Sequence, residues 1–117
     1  TVEDLISQLK PAIASARGKV DEFGGYFEYD KKSQRLLELN AELEDPKVWD
    51  DANRARELGR EKRLIDGVIE NIDKLTTESQ GAAELLELAE MEGDEATLLS
   101  LKADVDKITA ILADLEF

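Results

Sequence analysis

Residues 51–92 read DANRARELGREKRLIDGVIENIDKLTTESQGAAELLELAEME. From Leu58 onward the apolar positions Leu58, Ile65, Val68, Ile72, Leu75, Ala82, Leu86 and Ala89 recur at steps of three, four or seven. Such spacing lays them along one face of an α-helix. At about 1.5 Å per residue the helix would run roughly 60 Å, well beyond an ordinary globular helix. A helix of that length cannot bury its seam against itself, so the remaining chain must supply partner helices. Gly59, Gly67 and Gly81 fall inside it, each costing about 1 kcal/mol relative to alanine. Gly81, close behind Thr76, Thr77 and Ser79, is the natural place for a break. The apolar register passes through it unchanged, which predicts continuity.

Downstream, Gly93 reads as a helix stop and Asp94 as the cap of a last helix with Glu95 in its first turn. Leu98, Leu101, Val105, Ile108, Leu112 and Leu115 then alternate steps of three and four without interruption, a coiled-coil seam. A connection of one or two residues folds the two helices into an antiparallel hairpin. Upstream, Val2, Leu5, Ile6, Leu9, Ile13, Ala16, Val20 and Phe23 keep helical spacing across Pro11, where a kink is expected. Gly24-Gly25 reads as a turn, and Asp30 as the cap of a second helix buried through Leu36, Leu39 and Leu43. Asp45-Pro46 closes that helix, because the residue before proline is pushed out of helical geometry. Residues 46–50 form a linker, with Asp50 or Asp51 capping the long third helix. Helices one and two are expected to pack against the first half of the hairpin. The expected fold is all-α: an antiparallel helical bundle with a long coiled-coil-like hairpin, residues 1–117 forming a single domain.

Composition fits that reading. The chain has 117 residues, 42% hydrophobic and 37% charged, with two prolines and seven glycines. It contains no cysteine and no histidine, which excludes disulfides, thiolate nucleophiles and histidine-based triads or metal pairs. No apolar run is long enough to span a bilayer. The net charge is −13, unevenly divided: residues 1–63 carry 12 basic and 14 acidic side chains, residues 64–117 carry 3 and 14. The second part, at net −11, is unsuited to gripping nucleic-acid phosphates.

Candidate chemistry is sparse. Asp66, Glu70 and Asp73 share a helix face and could offer oxygen ligands to a hard cation, but no glycine-punctuated ligand loop accompanies them. They read as a solvated face. No catalytic, cofactor-binding or metal residue is expected. Five of the six aromatic residues, Phe23, Tyr26, Phe27, Tyr29 and Trp49, fall between positions 23 and 49 and read as a plug where the helix connections meet. Met91 reads as a core filler near the hairpin tip. Arg56, Arg60 and Arg63 lie at i, i+4 and i+7 on one face of the long helix, with Arg54 and Lys62 nearby. Either Glu57 and Glu61 pair with them in an ordinary mixed surface, or the stripe is a docking face for an acidic protein or an RNA backbone.

The run Gly25-Tyr26-Phe27-Glu28-Tyr29-Asp30, then Arg35-Leu36, Leu39-Asn40-Ala41-Glu42-Leu43-Glu44, Pro46-Lys47-Val48-Trp49 and Arg54-Ala55, closely resembles the amino-terminal domain of the bacterial class I peptide chain release factors. Leu85-Leu86-Glu87-Leu88-Ala89 and Leu115-Glu116-Phe117 extend the likeness. Trp49 after Asp45-Pro46 is more similar to the release factor 2 branch than to its sister, release factor 1. The resemblance implies a cytoplasmic translation termination factor that reads UAA and UGA, with the ribosome near its stalk base and the recycling release-factor GTPase as partners of this domain. The family's codon-reading Ser-Pro-Phe and peptide-releasing Gly-Gly-Gln are both absent from this sequence. The resemblance therefore implies a first domain that is not itself an enzyme, reads no nucleic-acid sequence, needs no cofactor and touches no membrane, with more protein expected beyond Phe117. The alternatives from other classes are a free-standing coiled-coil adaptor and, further off, an enzyme or metal-binding bundle.

Overall fold

The computed structural model describes residues 1–116, all of whose regular structure is helical; Phe117, the last residue of the family likeness, lies outside them. Five helices follow in order: α1 (Val2–Tyr26), α2 (Tyr29–Glu44), α3 (Pro46–Trp49), α4 (Ala52–Glu92) and α5 (Glu95–Leu115). The chain gathers into two compact units. One holds residues 1–22 and 74–117, the other residues 23–73.

In the first unit, α1 lays Leu9 and Ile13 onto Ala82, Leu86 and Ala89 of α4 and Leu98, Leu101 and Val105 of α5. The hairpin turn is made by Gly93, whose φ of 62° is a left-handed conformation that glycine adopts without a Cβ penalty. Asp94 caps α5 as its position suggests: Oδ1 accepts the Thr97 backbone N–H at 3.1 Å and Oδ2 accepts the Thr97 hydroxyl at 2.6 Å. Those bonds, the hydroxyl first, hold the Asp94 carboxyl below its ordinary value. Leu98, Leu101, Val105, Ile108 and Leu112 are all buried along α5. Two ion pairs tie α1 to this unit, Lys10 to Glu90 at 3.0 Å and Lys19 to Glu116 at 2.9 Å. Both are exposed, so the apolar seam carries the packing.

In the second unit, Leu39 of α2 is wholly buried against Val48 of α3 and Leu58 of α4, with Leu43, Ala55 and Ile65 around them. Asp45 is extended (φ −76°, ψ 118°) and turns the chain between α2 and α3, its side chain accepting the Lys47 backbone N–H. Asp51 accepts the Arg54 backbone N–H at 3.1 Å, capping α4. Arg35 of α2 grips Glu61 of α4 with Nε and Nη2 at 2.8–3.0 Å and reaches Glu38 with Nη1.

Several expectations are corrected. Residues 46–50 are not a plain linker, because Pro46 at the first helical position and the Asp45 cap suffice to wind one turn. α1 runs past Gly24 and Gly25 to Tyr26, and the turn falls on Glu28 in a left-handed conformation (φ 55°). There the Lys32 ammonium donates to the Phe27 carbonyl at 2.6 Å, satisfying a helix-end acceptor. Asp30 is therefore in the first turn of α2 and not its cap. As the unbroken apolar register predicts, α4 continues through Gly81. Within its seam Ile69 is buried and Val68 only half so. Ser79 fills the gap between Leu75 and Ala82, its buried hydroxyl donating to the Thr76 carbonyl at 3.2 Å. Leu9 and Ile13 of α1 pack with the second part of α4 and with α5, while residues 23–26 at the end of α1 group with the first part of α4. Met91 is 84% exposed and fills no core.

Candidate functional site

The first four turns of α4 carry Arg54, Arg56, Arg60 and Arg63, all exposed. The helix spacing sets Arg56, Arg60 and Arg63 along one face. Their expected intrahelical partners are engaged elsewhere or free. Glu61 is committed to Arg35, whose guanidinium hydrogen bonds hold the carboxyl below its usual value and raise that of Arg35 further. Glu57 makes no ion pair among the described residues, and Arg56 donates only to Asn53 Oδ1 at 2.8 Å. Arg60 and Arg63 have neither hydrogen bond nor ion pair among the described residues. Arg54 alone leans on an acid, Glu42, at 3.8 Å. The stripe thus presents guanidinium donors whose bonding capacity is unfilled, a set able to grip carboxylates or phosphates through paired N–H groups.

Two apolar side chains in the same unit were not picked out by helical spacing. Leu64, one turn beyond Arg60, is 69% exposed, and Trp49 is 62% exposed with its indole N–H donated to the Leu43 carbonyl at 2.7 Å. That bond fixes the ring's orientation while leaving most of its surface to solvent. The aromatic plug is accordingly smaller than expected. Phe23, Tyr26 and Phe27 make ring contacts, with Tyr26 edge-on to Phe27 at 5.0 Å, whereas Trp49 takes no part in them. Tyr29 donates to Asp73 Oδ1 at 2.6 Å, which raises its hydroxyl pKa. This removes Asp73 from the acidic face it shares by spacing with Asp66 and Glu70. Among the described residues no group of three or more acidic side chains is placed to hold a metal ion, and no helix is long and apolar enough to cross a membrane.

Sequence comparison supplies the family. The profile of the PCRF domain matches residues 32–116. The chain belongs to the PCRF-domain family. That match takes in α2 from its second turn together with α3, α4 and α5, including the whole arginine stripe and the Arg35–Glu61 bridge, while residues 25–30 lie ahead of it. Among relatives of this PCRF-domain chain, peptide chain release factor 2 of Burkholderia cenocepacia is 42% identical over 112 residues, 96% of this chain and 30% of the relative. Peptide chain release factor 2 of Acidovorax sp. is 44% identical over 99 residues, 85% of this chain and 27% of the relative. That of Bordetella pertussis is 44% identical over 92 residues, 79% and 25%. The likeness to release factor 2 drawn from residues 25–55 and 85–89 is borne out. The chain spans less than a third of the length of these relatives.

Proposed function

We propose that this PCRF-domain chain is the partner-contacting amino-terminal domain of a UAA- and UGA-reading translation termination factor, working on cytoplasmic ribosomes. The observation that carries this reading is the PCRF match across 32–116 together with relatives named peptide chain release factor 2. Residues 1–117 act as one module whose reaction partners lie outside the sequence, since neither Ser-Pro-Phe nor Gly-Gly-Gln occurs in it. Its partners are the ribosome near the stalk base and the recycling release-factor GTPase.

Arg56, Arg60 and Arg63 are the residues through which the domain contacts the ribosome. The support is electrostatic and geometric. The three guanidinium groups are exposed and free of carboxylate partners, on the part of the chain that is nearly charge-balanced. The acidic remainder would be repelled by RNA and faces protein or solvent. The test joins this chain to the rest of a release factor and changes all three arginines to glutamate. Ribosome affinity should fall, and the slope of log affinity against log salt should flatten by roughly 0.7 to 0.9 for each phosphate that is no longer neutralised. Circular dichroism should be unchanged, since none of the three packs in a core. Parental affinity and salt slope in the triple variant would return the stripe to an ordinary solvated face.

A further inference from the structure

The end of α4 is charged against its own helix. A helix C-terminus carries the negative end of the backbone dipole and favours basic side chains. The last turn of α4 has none, and no lysine or arginine occurs between Lys74 and Lys102, whereas seven acids do. Two acids near this end are committed, Glu90 to Lys10 at 3.0 Å and Asp94 to the cap of α5. The carboxylates of Glu84, Glu87 and Glu92 are exposed and make neither ion pair nor hydrogen bond among the described residues. Arg17 of α1 lines a shallow depression with Glu84 and Glu87 but ion-pairs with neither, so acid stays in excess at this spot. Set among these acids are two exposed apolar side chains, Leu88 and Met91. Leu88 lies four positions after Glu84 and four before Glu92, and Met91 lies four after Glu87. Residues at that spacing are neighbours on a helix surface.

We infer that this end face of α4 docks a basic amphipathic helix of a protein partner. The partner's lysines or arginines meet Glu84, Glu87 and Glu92, and its apolar side chains rest on Leu88 and Met91. The sign of the partner is set locally. Three unpaired carboxylates within about 12 Å of helix flank the apolar pair, and a partner's cations would supply the basic groups that the last turn of α4 lacks. Leu88 and Met91, three positions apart, form a short ridge of the kind that packs against a second helix, and an unbranched methionine adapts to its contact. Nucleic acid is excluded as occupant by the sign of the charge. A second copy is disfavoured, because two chains of net charge −13 repel one another. The inference goes beyond the release-factor reading, as this face shares no residue with the arginine stripe.

The test uses the 117-residue chain and two fluorescent synthetic helices with leucine at i, i+3, i+4 and i+7. One bears lysine on its polar face and the other glutamate. Fluorescence anisotropy should show binding of the lysine peptide alone. The triple change Glu84→Gln, Glu87→Gln and Glu92→Gln should weaken that binding by at least about tenfold, the loss expected when close charge pairs are removed. The control triple Asp21→Asn, Glu70→Gln and Asp114→Asn removes the same net charge at other exposed positions. At about 0.15 M salt distant exposed charges are screened, so this control should stay within about threefold of the parent. Leu88→Ser and Met91→Ser together leave every charge in place and should also cost at least about tenfold, as truncation of an anchor does. None of the substituted side chains is buried, so circular dichroism should show every variant folded. Neutralising the three glutamates should leave the melting temperature at or above the parental value, since they oppose the helix dipole; a lower one would mean that they stabilise the hairpin and would remove the argument. Equal losses in the two charge triples would assign binding to bulk charge and overturn the inference. Parental affinity in the Leu88 and Met91 variant, or equal binding of both peptides, does the same. So does a sedimenting dimer of the parent that this variant dissolves, which would assign the face to a second copy.

Discussion

Val105→Asp should unfold the hairpin unit at temperatures where the parent is intact. Val105 is buried in the cluster that α1, α4 and α5 share, with Ala82, Leu86 and Leu101 as fellow members. No basic side chain belongs to that cluster, so an aspartate there would be an unpaired charge removed from water. Such a change removes apolar burial and adds desolvation, together about 4 kcal/mol. For a domain of this size that lowers the melting temperature by at least about 15 °C. Asp106, the next residue, points outward and pairs with Lys102 at 3.0 Å on an exposed face. Asp106→Ala should therefore leave the melt nearly unchanged. Equal melting temperatures for Val105→Asp and the parent, read by circular dichroism at 222 nm, would mean that the α5 seam is not buried.

Leu39→Ala is the corresponding change in the second unit. Leu39 is 0% exposed and is the point where α2 meets Val48 of α3 and Leu58 of α4. Truncating it leaves a cavity among three helices and should cost roughly 3 kcal/mol. Trp49 offers a local readout, being the only tryptophan and bonded to the Leu43 carbonyl at the end of α2. The transition seen by tryptophan fluorescence should move down in Leu39→Ala by about 10 °C or more. An unmoved fluorescence transition would show that α2 is not held to α4 through Leu39.

The parts of this fold that were legible in the sequence are those set by short-range rules. The α5 seam follows from strict three-four spacing, and its start and the turn before it follow from Asp94 and Gly93. Asp45-Pro46 and Asp51 act as read, one ending α2 and the other capping α4. What escaped was decided by contacts between distant residues or by turns too short for periodicity to register. α3 has four residues, fewer than are needed to show a helical repeat. The turn at Glu28 is not made by the neighbouring glycines, and its left-handed residue is stabilised by Lys32 on the following helix. Val68 and Ile69 follow Ile65 by three and four positions, so helical spacing admits either to the seam, and only packing selects Ile69.

The arginine stripe shows the same limit in the candidate site. Helical spacing places Arg56, Arg60 and Arg63 together, and equally suggests Glu57 and Glu61 as their partners. Only the folded chain reveals that Glu61 belongs to Arg35, 26 positions away. Exposed Leu64 and Trp49 were legible as residues but not as surface. The bare backbone at Gly81 could not be read at all, because a glycine inside a helix gives no sign of whether its open side meets a neighbour or solvent.

The central claim is that this PCRF-domain chain makes contacts for a termination factor whose release chemistry lies in other residues. Peptide release from ribosomes stalled with a finished peptide at UAA or UGA tests it most directly. Residues 1–117 added alone should liberate no peptide above the rate without factor at any concentration, while a complete release factor in the same preparation empties the ribosomes. Stop-codon-dependent release by the 117-residue chain alone would contradict the account.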